Sequence, residues 1–296
     1  MNTRMSPWMV ILALTLAPNS ALAQELESND AIARELANPN TTLGSLNFPM
    51  DYVSYKGDLP GASSQESYRI SFQPVLPYPL GKGVNLYVRP NIPIVTDQPV
   101  PLVNGADVGP PDDGMFSGAD SNFRDSGTEL GDIGFDIAIG KTFPSKFIVA
   151  AGMVGTLDTA TDDTVGLGQT LLGPELALAQ ITNWGVLGVL LTHQWDVAGD
   201  DDFDTSITSG QYFYTYNLTD GWQIQAQPTF SYNHEAADGD EKWTLPIGVG
   251  VAKTTRIGKM PWKFSLQYWQ YVKQSDNLGP DYQIRFQVTP VVALPW

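Results

Sequence analysis

The C-terminal stretch YQIRFQVTPVVALPW, residues 282–296, alternates between apolar and polar side chains. Successive side chains of an extended strand point to opposite faces, so one face of this strand is apolar and the other is polar. The apolar face carries Tyr282, Ile284, Phe286, Val288, Val292, Leu294 and Trp296, and the polar face carries Gln283, Arg285, Gln287 and Thr289. The segment therefore predicts a strand between an apolar and a polar medium.

The N-terminal residues have the pattern of a cleavable export signal. Arg4 precedes an apolar run over residues 8–17, and Ala21-Leu22-Ala23 forms a cleavage site before Gln24. No later apolar run approaches the ~20 residues that a membrane-spanning helix needs. Since only helices and closed barrels satisfy their backbones in lipid, the sequence predicts a signal peptide at 1–23 followed by a β-barrel, exported to a Gram-negative outer membrane.

The composition excludes several classes of function. The 296 residues contain 16 Lys+Arg against 32 Asp+Glu, a net charge of −16, which disfavours binding to nucleic acid. The absence of cysteine excludes disulfides, thiolate metal sites and thiol nucleophiles. We expect no bound cofactor and no metal centre.

About twelve amphipathic strands can be traced, and the segments joining them alternate between short and long. Short turns follow Leu80, Lys141, Ile181, Asn217 and Arg256, and long acidic connections occupy 56–67, 96–128, 158–170, 198–206, 235–241 and 273–281. This predicts an all-β, antiparallel transmembrane barrel over 43–296, with periplasmic turns and acidic extracellular loops. We expect it to contact the bilayer and lipopolysaccharide, and the barrel-assembly machinery to recognise residues 282–296.

The inward parity of the strands is polar, which fits a hydrated lumen. Its basic members are Arg69, Arg89, Lys263 and Arg285, and its acidic members are Asp132, Asp136 and Glu175. Opposed charged walls at a constriction favour a passive channel for small solutes, which is the function we predict. Alternatively these charges pair with one another in a filled lumen, which would make the barrel structural or a surface-interaction protein.

Two smaller features allow other functions. His193 and His234 lie near the outer ends of strands, where Ser206 or Thr208 could complete a nucleophilic pair of a lipid-modifying enzyme, although no GxSxG motif is present. The acidic run at 200–204 offers oxygen ligands but lacks the glycine and glutamate of a calcium-binding EF-hand loop, which favours a solvated loop that bridges to lipopolysaccharide through divalent ions.

The mature N-terminus, 24–42, has its own pattern. Asn29 could cap a short helix over residues 30–37, which Asn38-Pro39 would end. The segment is interpreted either as a frayed periplasmic leader or as a plug inside the barrel.

Five segments also resemble a known family. They are TLDTATDD (156–163), LLGPELAL (171–178), WTLPIGVGVAK (243–253), RIGKMP (256–261) and GPDYQIRFQV (279–288). They are similar to the outer-membrane transporters grouped with meta-pathway phenol-degradation proteins. The resemblance covers nearly all of the mature chain and implies a barrel that transports small, aromatic or hydrophobic solutes. It implies no catalytic residues.

Overall fold

The computed structural model describes residues 28–102, 123–199, 203–236 and 241–296. They form a closed antiparallel β-barrel of twelve strands, which confirms the predicted fold class. Among these residues, no helix is long and apolar enough to cross a membrane. The acidic loop positions at 107–120, 200–202 and 238–240 lie outside the described residues.

The elements follow one another along the chain as a short helix and a series of strands. They are α1 (Asn29–Ala37), β1 (Gly44–Lys56), β2 (Glu66–Gly81), β3 (Val84–Thr96), β4 (Pro99–Pro101), β5 (Phe123–Asp125), β6 (Thr128–Leu130), β7 (Ile133–Thr142), β8 (Phe147–Leu157), β9 (Gln169–Ile181), β10 (Gly185–Gly199), β11 (Ser206–Asn217), β12 (Trp222–Ala226), β13 (Thr229–Asn233), β14 (Trp243–Ile257), β15 (Met260–Lys273) and β16 (Gly279–Val292). A 3₁₀ turn at Ala62–Ser64 lies between β1 and β2.

The barrel closes where β1 pairs with β16. Two of the twelve strands are interrupted. One consists of β6 and β7, which both pair with β3, and the other consists of β12 and β13, which both pair with β11 and β14. The hairpin of β4 and β5 lies within the longest connection. The five short turns all lie at one end of the barrel, the turn end, and the long connections lie at the other, the loop end.

Some of the strand prolines lie where the ladder is broken or irregular, because they lack an N–H to donate. Pro228 separates β12 from β13, and the register between β14 and β15 shifts at Pro246. The ladder of β2 and β3 pairs Phe72 with Ile92 and Leu76 with Val88, so Pro74 and Pro90 face each other between these pairs. Two residues without an N–H donor therefore lie at the same position, and the interruption of the ladder is confined to it.

The two faces of the barrel differ as the alternation predicts. On the outer face Ile247 is 62% exposed and Phe286 is 40% exposed, as expected for side chains in contact with lipid. On the inner face Gln223 and Gln267 are buried, and so is Trp269, which has the inward parity. The strand β16 ends at Val292, earlier than the alternation suggests, and the Trp296 indole then donates to the Pro77 carbonyl at 2.8 Å.

Helix α1 lies inside the turn end of the barrel. It packs on the inner faces of β10, β11, β12, β14 and β15, and it buries Ile32 and Ala33 completely or nearly so. Its cap is Ser28, whose hydroxyl accepts from the Ala31 amide at 3.1 Å, and not Asn29 as expected. A leader frayed into the periplasm is not what the structure shows.

Candidate functional site: the barrel lumen

Inward side chains surround a lumen cavity of about 400 Å³ between α1 and the middle of the barrel. Alternation in every strand directs one residue in two toward this space, so polar side chains from distant parts of the sequence meet there. Charged and amide members of the lining include Arg89, Asp136, Glu175, Lys263, Arg285 and Gln287. Five of the seven predicted lumen residues therefore line one cavity, and Arg69 and Asp132 lie elsewhere.

Arg89 joins two of the acidic residues in one cluster. Its Nε lies 2.7 Å from Asp136 Oδ1, directly across from it on β7, and its Nη2 lies 3.3 Å from Glu175 Oε1 on β9. The second carboxylate oxygen of Glu175 is buried and has no partner among the described residues. The basic and acidic residues are thus paired here, and they do not face each other as two opposed walls.

Arg285 makes a second ion pair, with a residue that the sequence reasoning missed. Its Nε and Nη2 lie 2.6 and 2.8 Å from the two oxygens of Asp51, a bidentate arrangement that strengthens the charged hydrogen bonds. The guanidinium carbon also lies 4.5 Å from the centre of the Trp269 ring. Asp51 has the inward parity of β1 and lies opposite Arg285 in the closing strand pair. It could have been predicted from the closure of the barrel, which makes the first and last strands neighbours.

Lys263 and Arg69 are the two predicted lumen cations that form no ion pair with a carboxylate of the described residues. Lys263 lines the cavity from β15. Arg69 lies opposite Asp51 on β2, but Asp51 is already held by Arg285. The cavity lining carries three cations, Arg89, Lys263 and Arg285, and two carboxylates, Asp136 and Glu175. Asp51, the partner of Arg285, is not part of the lining, and the charges balance when it is included.

Asp132 has a different role from the one expected. Its Oδ1 accepts from the amides of Thr159 and Ala160 at 3.0 Å each, and its Oδ2 accepts from the amide of Leu167 at 2.9 Å. Because both oxygens are occupied by backbone donors, the side chain organises the connection between β8 and β9 at the loop end. It is not among the residues that line the cavity.

Hydrogen bonds fix the N-terminal segment inside the lumen. At the helix start, the Gly221 amide donates to Asp30, and the Gln223 amide group donates to the Ala33 carbonyl at 3.0 Å. Beyond the helix, Asn40 donates to Thr142 Oγ1 at 2.6 Å and accepts from the Tyr87 hydroxyl at 2.9 Å. The segment is therefore attached to the barrel at both ends.

Amide side chains connect the remaining wall. Gln287 donates to Asn47 at 3.3 Å and accepts from Gln227 at 3.2 Å, and Gln73 donates to Asn91 at 2.9 Å. Neutral amides offer both donors and acceptors. This part of the wall can hydrogen-bond water or a polar solute of either charge.

The structure brings the two histidines together on the outer face. His193 Nδ1 lies 2.7 Å from Thr208 Oγ1, and Thr208 Oγ1 lies 2.9 Å from His234 Nε2. Ser206 contributes only its carbonyl, which accepts from the His234 amide at 2.9 Å. In the described part of the chain, neither ring contacts a carboxylate that could orient it as the base of a catalytic triad.

Comparison with known proteins identifies the fold. The sequence matches no protein-family model and no curated protein. An outer membrane channel of Pseudomonas putida F1 superposes with a TM-score of 0.56 at 14% identity, over 84% of this chain and 94% of that chain. This likeness shows that the chain has the fold of an outer-membrane barrel.

Two further solved structures are more distant. The NanC porin gives a TM-score of 0.48 at 10% identity, over 84% of this chain and 100% of that chain. The Pseudomonas putida toluene transporter TodX gives 0.43 at 10% identity, over 88% and 93%. The grouping with meta-pathway proteins is tested by none of these structures and stays an interpretation.

Proposed function

We propose that this protein is an outer-membrane channel for the passive passage of small solutes. The observation that carries the proposal is the cavity of about 400 Å³ inside a closed barrel, lined by charged and amide side chains. Such a lining would serve little purpose in a packed core, where an unpaired polar group costs about 1–3 kcal/mol. The outer-membrane location is supported by the lipid-suited outer face and by the fold.

The lining also bears on the solute. The family resemblance suggests aromatic or hydrophobic solutes, whereas Arg89, Lys263 and the amides around Gln287 favour small molecules with hydrogen-bonding groups. A phenol, with an apolar ring and a hydroxyl, satisfies both. The proposed lumen residues are Arg69, Arg89, Asp136, Glu175, Lys263 and Arg285, with Asp51 added; Asp132 supports the loop instead.

Helix α1 makes the channel narrow at its periplasmic end. Its bonds to Gly221 and Gln223 and the bonds of Asn40 hold it across the lumen. Deleting residues 24–42 from the mature protein should raise the single-channel conductance, because the deletion removes the element that fills this end. The Asn40→Ala variant, which loses bonds to Thr142 and Tyr87, should raise it less.

Planar-bilayer recordings test the channel. We expect conductance from the refolded mature protein, and we expect Lys263→Gln to shift selectivity toward cations because it removes a lumen cation that no described carboxylate neutralises. Lys259→Gln, at the exposed turn between β14 and β15, is the matched control and should leave selectivity unchanged. No conductance from folded protein, with or without 24–42, would rule out the channel.

A second function is favoured by the same helix and ion pairs. If α1 and the pairs of Arg89 and Arg285 fill the lumen permanently, the barrel is structural or contacts another surface through its loops. Recordings of the intact protein and of the 24–42 deletion separate the two functions, because a barrel that its ion pairs also fill would conduct in neither form. Recognition of residues 282–296 by the assembly machinery is proposed for both.

A further inference from the structure

A polar cluster on the outer face takes no part in the lumen. It consists of His193 on β10, Thr208 on β11 and His234 just beyond β13, and it is called the outer histidine cluster below. The two rings approach to 5.3 Å between centroids, with the Thr208 hydroxyl bonded to a nitrogen of each. All three side chains have the lipid-facing parity. A polar group in that position is costly at the membrane centre and tolerated near the interface.

Aromatic side chains place the cluster at the interface. Trp195 packs against His193 at 4.2 Å between ring centroids, and Tyr232 packs against His234 at 4.7 Å. Trp243 extends the group at 5.0 Å from Tyr232, and it is exposed, as is Trp195. Tryptophan and tyrosine concentrate at the level of lipid headgroups. The cluster therefore faces headgroups at the loop end of the barrel.

The hydrogen bonds within the cluster depend on protonation. A hydroxyl has one hydrogen, so when both rings are neutral one ring donates to Thr208 and the other accepts from it. When both rings are protonated, both donate to the hydroxyl oxygen, and the hydroxyl hydrogen must turn to an external acceptor. The remaining ring hydrogens, on His193 Nε2 and His234 Nδ1, make no bond within the described residues. The protonated cluster thus has three donors that are not used within it.

The charges around the cluster are mixed. Lys242 lies beside it and donates to the His234 carbonyl at 3.2 Å, which leaves ammonium hydrogens for a ligand. Glu241 is paired with Lys273 at 2.5 Å, and Asp196 accepts from the Thr205 amide at 2.7 Å. Asp204 and Glu235, which are near Thr208 and His234 in sequence, are exposed and make no bond to either ring.

We propose that the outer histidine cluster, with Lys242, binds the phosphate group of a lipid headgroup in the outer leaflet when both histidines are protonated. A phosphate offers several acceptor oxygens, which match the outward ring N–H groups, the Thr208 hydroxyl and the Lys242 ammonium. Trp195 and Trp243 pack against the lipid next to its headgroup. Binding strengthens as pH falls, because protonation gives each ring a second N–H donor and a positive charge. The proposal does not depend on whether the lumen conducts.

The test uses the refolded mature protein in micelles of neutral detergent. Binding of a phosphorylated glycolipid, of the same lipid without phosphate, and of inorganic phosphate is measured by native mass spectrometry and tryptophan fluorescence, at about pH 5.5 and about pH 8. The variants are His193→Gln with His234→Gln, and Thr208→Val, which removes the hydroxyl and keeps the branched shape. Lys259→Gln at the turn end is the control. Heat-dependent gel mobility shows which variants are folded.

At about pH 5.5 the phosphorylated lipid should bind the double histidine variant at least about tenfold more weakly than the native protein, the loss expected for charged hydrogen bonds. Thr208→Val should bind with intermediate affinity, and the control should match the native protein. If the double variant does not fold, His193→Gln alone carries the test. Equal binding by variant and native protein, binding independent of pH, equal binding of the phosphate-free lipid, or equal binding of inorganic phosphate would each overturn the proposal.

Discussion

Breaking the ion pair of Asp51 and Arg285 should destabilise the barrel strongly. The two charged hydrogen bonds are 2.6 and 2.8 Å long, and the side chains of Arg285 and Asp51 are only 12% and 4% exposed. Asp51→Ala leaves a buried guanidinium without its carboxylate. Loss of one partner of a buried pair costs about 3–5 kcal/mol, and we expect a fall in the free energy of unfolding in this range. The double variant Asp51→Ala with Arg285→Ala should lose less than the sum of the two single losses.

Urea unfolding of the protein refolded into lipid vesicles, followed by tryptophan fluorescence, measures these free energies. The matched control is Asp220→Ala, which breaks the pair of Lys253 and Asp220 at the turn end. The side chain of Asp220 is 75% exposed, so water replaces the lost contact and the stability should hardly change. If Asp51→Ala cost no more than Asp220→Ala, the pair would be solvated by the lumen, and its burial would not contribute to stability.

Three other predictions concern assembly, orientation and loop order. Phe286→Asp should impair assembly, measured as the folded fraction in isolated outer membranes, because a charge facing lipid costs up to about 2–4 kcal/mol at the midplane. Deletion of Trp296 should also impair it, because the bond to Pro77 and the last residue of the proposed recognition segment are lost. A cysteine at Asp163 should react with an impermeant thiol reagent on intact cells, whereas one at Lys82 should not, and the reverse result would invert the orientation. Asp132→Ala should speed proteolysis between β8 and β9, since three backbone amides lose their acceptor, and an unchanged cleavage rate would contradict this role.

The architecture could be predicted because every second side chain of a strand faces lipid and is therefore apolar. The alternation over 282–296 and the spacing of the five short turns were enough to give an antiparallel barrel of twelve strands. The parity of β15 places Trp269 on the inner face, and the structure buries it there. Breaks such as Pro228 between β12 and β13 were harder to place, because a proline shows where a ladder fails but not how the chain continues.

The partners of the inward residues could not be predicted in the same way. Parity states which side chains point inward, whereas pairing depends on the register and tilt of neighbouring strands. The sequence therefore predicted Arg89 and Asp136 on opposed walls of the lumen. In the structure they are paired residues on the neighbouring strands β3 and β7. Asp132 has inward parity, but its oxygens are bonded to backbone amides of a connection whose conformation has no periodic pattern in the sequence.

The placement of α1 follows from the balance of apolar and polar groups within the lumen. The helix buries Ile32, and near the turn end Gln223 on the inner wall donates to the Ala33 carbonyl of the helix. Further along the lumen, the wall residues Arg89, Glu175 and Lys263 line a cavity of about 400 Å³. Charged side chains around an open space favour a hydrated passage over a packed interior, where an unpaired polar group costs about 1–3 kcal/mol. The lumen thus combines a filled end with a polar cavity, and conductance with and without 24–42 determines whether the filled end is permanent.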